Sequence, residues 1–69
     1  DIGVEKAKEI ALNKAGLSAG EVVFTEASLD YDDGRKVYEI EFKKDRTEYS
    51  VEVLASDGTI VSWDVDYDD

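Results

Sequence analysis

The sequence predicts an α+β fold: one N-terminal helix packed on a four-stranded antiparallel meander sheet. Three observations carry this expectation. Up to Gly16, apolar residues recur at helical spacing. From Glu21 onward they alternate with polar residues at a period of two, the pattern of half-buried strands. The alternation breaks at Asp33-Gly34, Asp45-Arg46 and Ser56-Asp57-Gly58, where the chain can turn back on itself.

Ile2 to Gly16 reads as the one helix. Val4, Ala7, Ala11 and Ala15 form a stripe, with Ile10 and Leu12 at its margins, while Glu5, Lys6, Glu9 and Asn13 point away. Alanines at the centre of the stripe allow a close approach to a sheet. Asp1 or Gly3 can cap the start, and Glu5 in the first turn suits the helix dipole, as Lys14 does in the last. Gly16 is placed as a left-handed stop, with Leu17 folding back after it. Ser18 to Gly20 is a short connector.

Arg35 to Leu54, broken at Asp45-Arg46, is the central hairpin. With Lys44 opposite Thr47, Phe42 faces Tyr49, Ile40 faces Val51 and Tyr38 faces Val53, so every apolar side chain falls on one side. A slip of one residue would reverse that, which fixes the register. Glu21 to Asp32 is the first strand, joined by the Asp33-Gly34 turn, with Leu29 facing Tyr38 and Ala27 facing Ile40. In uninterrupted register Thr25 faces Phe42 and Val22 and Phe24 land on the polar side; a bulge near Thr25 is the alternative that would turn Phe24 back inward. Ile60 to Asp66 is the last strand. A three-residue loop with Gly58 left-handed makes Val61 face Val53, Trp63 face Val51 and Val65 face Tyr49. Asp66 to Asp69 read as a frayed tail.

The chain has 69 residues, enough for one domain, 1–69, with one small core. It has no cysteine, so it folds by packing alone. No apolar run is long enough to insert in a membrane. A start at Asp1 rather than Met fits a processed product or an excised segment. The net charge of −10 is unevenly spread: Asp1, Glu5 and Glu9 balance Lys6, Lys8 and Lys14 in residues 1–20, and the remaining residues carry the whole excess. Nucleic acid and anionic membranes are therefore poor partners, whereas a basic protein surface or a divalent cation fits.

Histidine and cysteine are absent, which removes Ser–His and Cys–His catalysis and the usual zinc ligands. Paired carboxylates remain, but one helix on four strands leaves little room for a catalytic pocket, so no enzyme activity, cofactor or built metal site is expected. The open side of the sheet is the candidate site. In this register it carries Glu26, Glu39, Glu41, Glu52, Asp64 and Asp66, together with Asp30 and Glu48, and Lys43 as its main base. Glu39 faces Glu52 and Glu26 faces Glu41, like charges that oppose folding and attract a basic partner. Calcium is a second reading, from the oxygen-rich stretches Asp30-Tyr31-Asp32-Asp33-Gly34 and Asp64 to Asp69. Neither matches the EF-hand loop, so weak calcium binding is the most they support. The unpaired edges of the first and last strands could each take an added strand, unless their acids serve only to protect them.

Taken in order, the helix V-E-K-A-K-E-I-A-L-N-K-A-G-L, the strand pair V-Y-E-I-E-F-K-K-D-R-T-E-Y-S-V-E-V and the ending A-S-D-G-T-I-V resemble a PepSY domain over nearly the whole chain. The matching positions are structural: Ala11-Leu12, Ala15-Gly16, Tyr38-Glu39 and Asp57-Gly58. The resemblance implies an extracytoplasmic location and a partner among secreted or cell-surface peptidases, inhibited or helped to fold by the domain. The chain holds no peptidase domain, so the resemblance points to a stand-alone or lipoprotein-borne module. The family supplies no catalytic residues. A ligand- or calcium-sensing domain of a cell-surface lipoprotein is the alternative it leaves.

Overall fold

The computed structural model describes residues 1–67. Helix α1 spans Val4–Ala15 and a 3-10 turn spans Ala19–Glu21. Strands β1 (Val23–Asp32), β2 (Arg35–Lys44), β3 (Thr47–Leu54) and β4 (Ile60–Tyr67) form one antiparallel sheet in the order β1-β2-β3-β4, the expected meander.

The helix is shorter than expected at both ends, for separate reasons. Ile2 is not helical; its N–H donates to the Ala55 carbonyl at 2.8 Å, tying the chain start to the sheet. Gly3 is the N-cap, and no side chain caps the helix. Asp1, the alternative cap, instead pairs with Lys36 at 2.7 Å. At the other end Gly16 is left-handed with φ 75°, its N–H donating to Asn13 at 3.2 Å and the Leu17 N–H to Leu12 at 3.1 Å. This is the Schellman stop that the sequence predicted, and it frees the chain to turn toward β1. The connector is tighter than a loop: the Ser18 N–H and hydroxyl both donate to Glu21 Oε1, at 2.9 and 3.1 Å. Those two bonds hold the Glu21 carboxyl below its usual range, the Ser18 N–H contributing most, with Lys44 nearby. Glu21 thus belongs to the turn rather than to β1.

The β2–β3 register is the predicted one, with Phe42 opposite Tyr49, Ile40 opposite Val51 and Tyr38 opposite Val53. Asp33 (φ 52°) and Gly34 (φ 77°) make the left-handed pair of the β1–β2 turn. The register of β1 shifts between Phe24 and Glu26, so Phe24 faces Phe42 and packs against the core. Of the two registers the sequence left open, it is the one with a bulge near Thr25. Two corrections concern β4. Gly58 is left-handed at φ 83°, as expected, but a second irregularity places Ile60, not Val61, opposite Val53. Ile60 packs on the core in its stead. The supposed tail is also partly strand, since Asp66 faces Glu48 and Tyr67 faces Thr47. Asp68 and Asp69 lie outside the described residues.

The core lies between α1 and one face of the sheet. Ala7, Ala11 and Leu12 meet Tyr38, Ile40, Phe42, Val51, Val53 and Ala55, all buried. Aromatic rings cross the sheet beneath the helix, one from each strand. Phe24 lies 5.7 Å from Phe42, Phe42 stacks on Tyr49 at 5.0 Å, and Tyr49 lies 5.9 Å from Trp63. Lys8 sits 5.0 Å above the Phe24 ring and Lys14 5.7 Å above Trp63, so helix lysines close both ends of the row.

Candidate functional site

The other face of the sheet has no helix over it. Alternation along the strands sends Glu26, Ser28, Glu39, Glu41, Ser50, Glu52, Ser62 and Asp64 there because their neighbours face the core. Register then sorts them into rows. One row runs Ser28, Glu39, Glu52, Ser62, and the next runs Glu26, Glu41, Ser50, Asp64. Of the six residues read from sequence, Glu26, Glu39, Glu41 and Glu52 come together at the centre of the face. Asp64 closes the second row at the far edge. Asp66 stands apart, beside Glu48 in the row that runs Val23, Lys43, Glu48, Asp66. Glu26 is exposed, while Glu39, Glu41 and Glu52 are half-buried.

The centre of the face is electrostatically loaded. Carboxylate oxygens of Glu26, Glu39 and Glu41 all lie within 4.8 Å of one another. A hydrogen bond shared with Asp30 raises the Glu39 carboxyl above its ordinary value; partial desolvation and the charges of Glu26, Asp30 and Glu52 push the same way. Ser28 Oγ donates to Glu26 Oε2 at 2.8 Å, fixing one wall of the cluster. Sequence reasoning placed Asp30 on this face without seeing its link to Glu39. The signal was available, because Asp30 lies opposite Val37, one position along the face from Glu39.

Neither calcium stretch gathers ligands in the way the sequence suggested. Asp30 to Gly34 is a strand end and a turn, and Asp64 and Asp66 lie on a strand whose last two acids are outside the described residues. Among the described residues, the carboxylates that converge are Glu26, Glu39 and Glu41. Three carboxylates are a fraction of the six to eight oxygens calcium takes.

The face is not polar throughout. Val37 is fully buried yet falls on this side by alternation, opposite Leu54 on β3 and Asp30 on β1, and it stands outside the helix-side cluster. On the helix side, Glu5, Lys8, Glu9, Leu12, Ala19 and Phe24 line an open groove of about 280 Å3. Its rim charges are already satisfied, Lys8 by Glu5 at 3.3 Å and Glu9 by Lys6 at 2.8 Å. No helix among the described residues is long and apolar enough to cross a membrane.

The chain has relatives among known sequences. An uncharacterized protein of Streptococcus pyogenes serotype M6, Spy1430, is 40% identical over 57 residues, which is 83% of this chain and 44% of that protein. An uncharacterized protein of Bacillus subtilis, YkoJ, is 44% identical over 63 residues, 90% of this chain and 34% of that protein. The chain thus spans less than half the length of either relative. No solved structure matches it. A family model described as peptidase propeptide and YPEB domain matches residues 1–66, taking in the helix, all four strands and the acidic face, and the chain belongs to that family, PepSY.

Proposed function

We propose that residues 1–69 act as a non-catalytic, extracytoplasmic module that docks a basic surface of a secreted or cell-surface peptidase on its acidic sheet face and inhibits the enzyme. One observation carries this reading above the others: the central face holds carboxylate oxygens of Glu26, Glu39 and Glu41 within 4.8 Å of one another, with Glu52 across from Glu39 and no base among them. Such a cluster costs folding energy, and a cationic partner relieves that cost on binding. Family membership supports the peptidase as the partner class, since the family takes its description from peptidase propeptides. The mechanism is occupancy. The domain brings charge and shape and performs no chemistry.

The test is titration of the purified domain against a secreted thermolysin-like peptidase, with binding and activity read together at low and high salt. The expected outcome is inhibition that weakens steeply as salt is raised. Inhibition unaffected by salt would remove the acidic face from the mechanism, and absence of both binding and inhibition would remove this partner class.

The same cluster favours a second reading, a cation-sensing module on a cell-surface lipoprotein, because three carboxylates already lie within reach of one ion. Partner or water oxygens would have to complete the shell. A calorimetric titration with calcium that yields no heat, with no change in melting temperature, eliminates it.

A further inference from the structure

Strand β1 is an edge, and its outward backbone groups can be assigned. The Lys36 carbonyl on β2 accepts from the Ala55 N–H at 3.0 Å, so Lys36 turns its backbone toward β3. Its partner on the other side, Tyr31, therefore sits in a non-hydrogen-bonded pair and turns its N–H and C=O away from β2. The Tyr31 N–H accordingly donates to the Asp30 carboxylate, at 2.8 Å, rather than to β2. The alternation repeats every second residue, so Leu29 and Ala27 also aim their backbone groups outward, up to the bulge at Thr25.

The side chains along this edge are sorted in the same rhythm. Ala27, Leu29 and Tyr31 lie on the helix side of the sheet, but the helix does not reach them: Leu29 is 45% exposed and Tyr31 68%, and neither packs on the core. Glu26, Ser28, Asp30 and Asp32 lie on the open side. The opposite edge differs, because Ile60 and Trp63 of β4 already pack on the core. A strand added to β1 would find outward backbone groups at Ala27 and Leu29 and the Tyr31 carbonyl, an apolar row on one face and an acidic row on the other.

We infer that the β1 edge is a strand-addition site for an extended segment of a partner protein in which Lys or Arg alternates with apolar residues. Main-chain bonds to both groups of Ala27 and Leu29 and to the Tyr31 carbonyl provide the pairing, and the acids of the open face select the basic side chains. A second copy of this chain is a poor occupant. Two-fold antiparallel pairing centred on Leu29 would set Glu26 against Asp32 and Ser28 against Asp30, in a protein of net charge −10. The inference does not rest on the partner being a peptidase.

The probe is the capped peptide Lys-Val-Lys-Ile-Lys-Val-Lys, added to the domain while amide hydrogen exchange is followed by NMR. At saturation the Ala27 and Leu29 amides should exchange at least about tenfold more slowly, with the β4 amides unchanged. The same peptide N-methylated at alternate positions keeps its charge and should protect none of them. Leu29→Pro, which removes an outward donor from an edge strand, should abolish protection while leaving the β2–β3 amides protected. Three results would each overturn the inference: binding that leaves these amides unprotected, protection centred on β4, or protection in peptide-free protein that sediments as a dimer.

Discussion

Glu39 and Ile40 are neighbours in sequence and opposites in environment. Ile40 is fully buried under α1. Glu39 faces Glu52, shares a hydrogen bond with Asp30 and feels the charge of Glu26. The same holds for Glu52 beside Val51 and Val53. One backbone thus builds two surfaces, one that holds the domain together and one that strains it. A thin core has little stability to spare, so a self-repelling face is a notable burden. The difference teaches that the apolar face answers to folding, whereas the acidic face, on the function proposed above, answers to the partner it meets.

That contrast can be broken most forcefully from the core side. Phe42 is buried and touches rings on both neighbouring strands. Phe42→Ala should cost about 3–5 kcal/mol, enough to unfold much of the population, as read by urea denaturation. Gly58→Ala comes next. Its φ of 83° is unfavourable for a side chain, and a Cβ there would lie 2.8 Å from Ile10 Cδ1, so a loss of about 1–2 kcal/mol in the same assay is expected. The acidic face should answer with the opposite sign. Glu39→Gln offers Asp30 an amide donor and removes a charge, and should gain about 0.5 kcal/mol, shrinking as salt is added.

The smallest effect is the dependence on pH, and its sign separates the two kinds of carboxylate. Glu39 is raised in the folded protein, so the folded state binds its proton more tightly and stability falls as pH rises through its titration. Its cost is therefore complete above its folded pKa and absent below the unfolded value of about 4.3. The advantage of Glu39→Gln should disappear at acid pH. Glu21 and Asp57 are lowered, by the Ser18 and Thr59 backbone N–H groups first, so their contribution is present above the unfolded values and is lost as pH falls through the folded ones. Glu21→Gln should accordingly destabilise at neutral pH and become silent in acid. Urea denaturation of each variant beside wild type, at neutral and acid pH, checks both signs.

Much of this was legible in the sequence, for identifiable reasons. Strict alternation fixed the β2–β3 register, because any slip would have buried Glu39 and Glu52. Gly16, Gly34 and Gly58 marked positions where the chain needs positive φ, and Phe24 betrayed the bulge by falling on the wrong side without one. Where two adjacent residues were equally apolar, the signal failed. Ile60 and Val61 are both β-branched, and either can face inward, so the second bulge was invisible. The exposure of β1 was missed for a matter of lengths. A helix of 12 residues spans about 18 Å, while the 10 residues of β1 extend about 33 Å, so the hairpin outruns its cover at Leu29 and Tyr31. The burial of Val37 on the open side contradicts simple alternation and could not be read from a period of two. The acidic site was legible as a set of charges on one face; the approach of Asp30 to Glu39 needed coordinates.

The most direct test of the division between the two faces is the double reversal Glu39→Lys with Glu52→Lys, measured for melting temperature and for salt-dependent binding to a secreted thermolysin-like peptidase. The expected result is a domain that melts within a few degrees of wild type and no longer binds. A reversed domain that still binds as tightly as wild type would show that the acidic face is only a solvated surface, and would contradict the assignment of function to it.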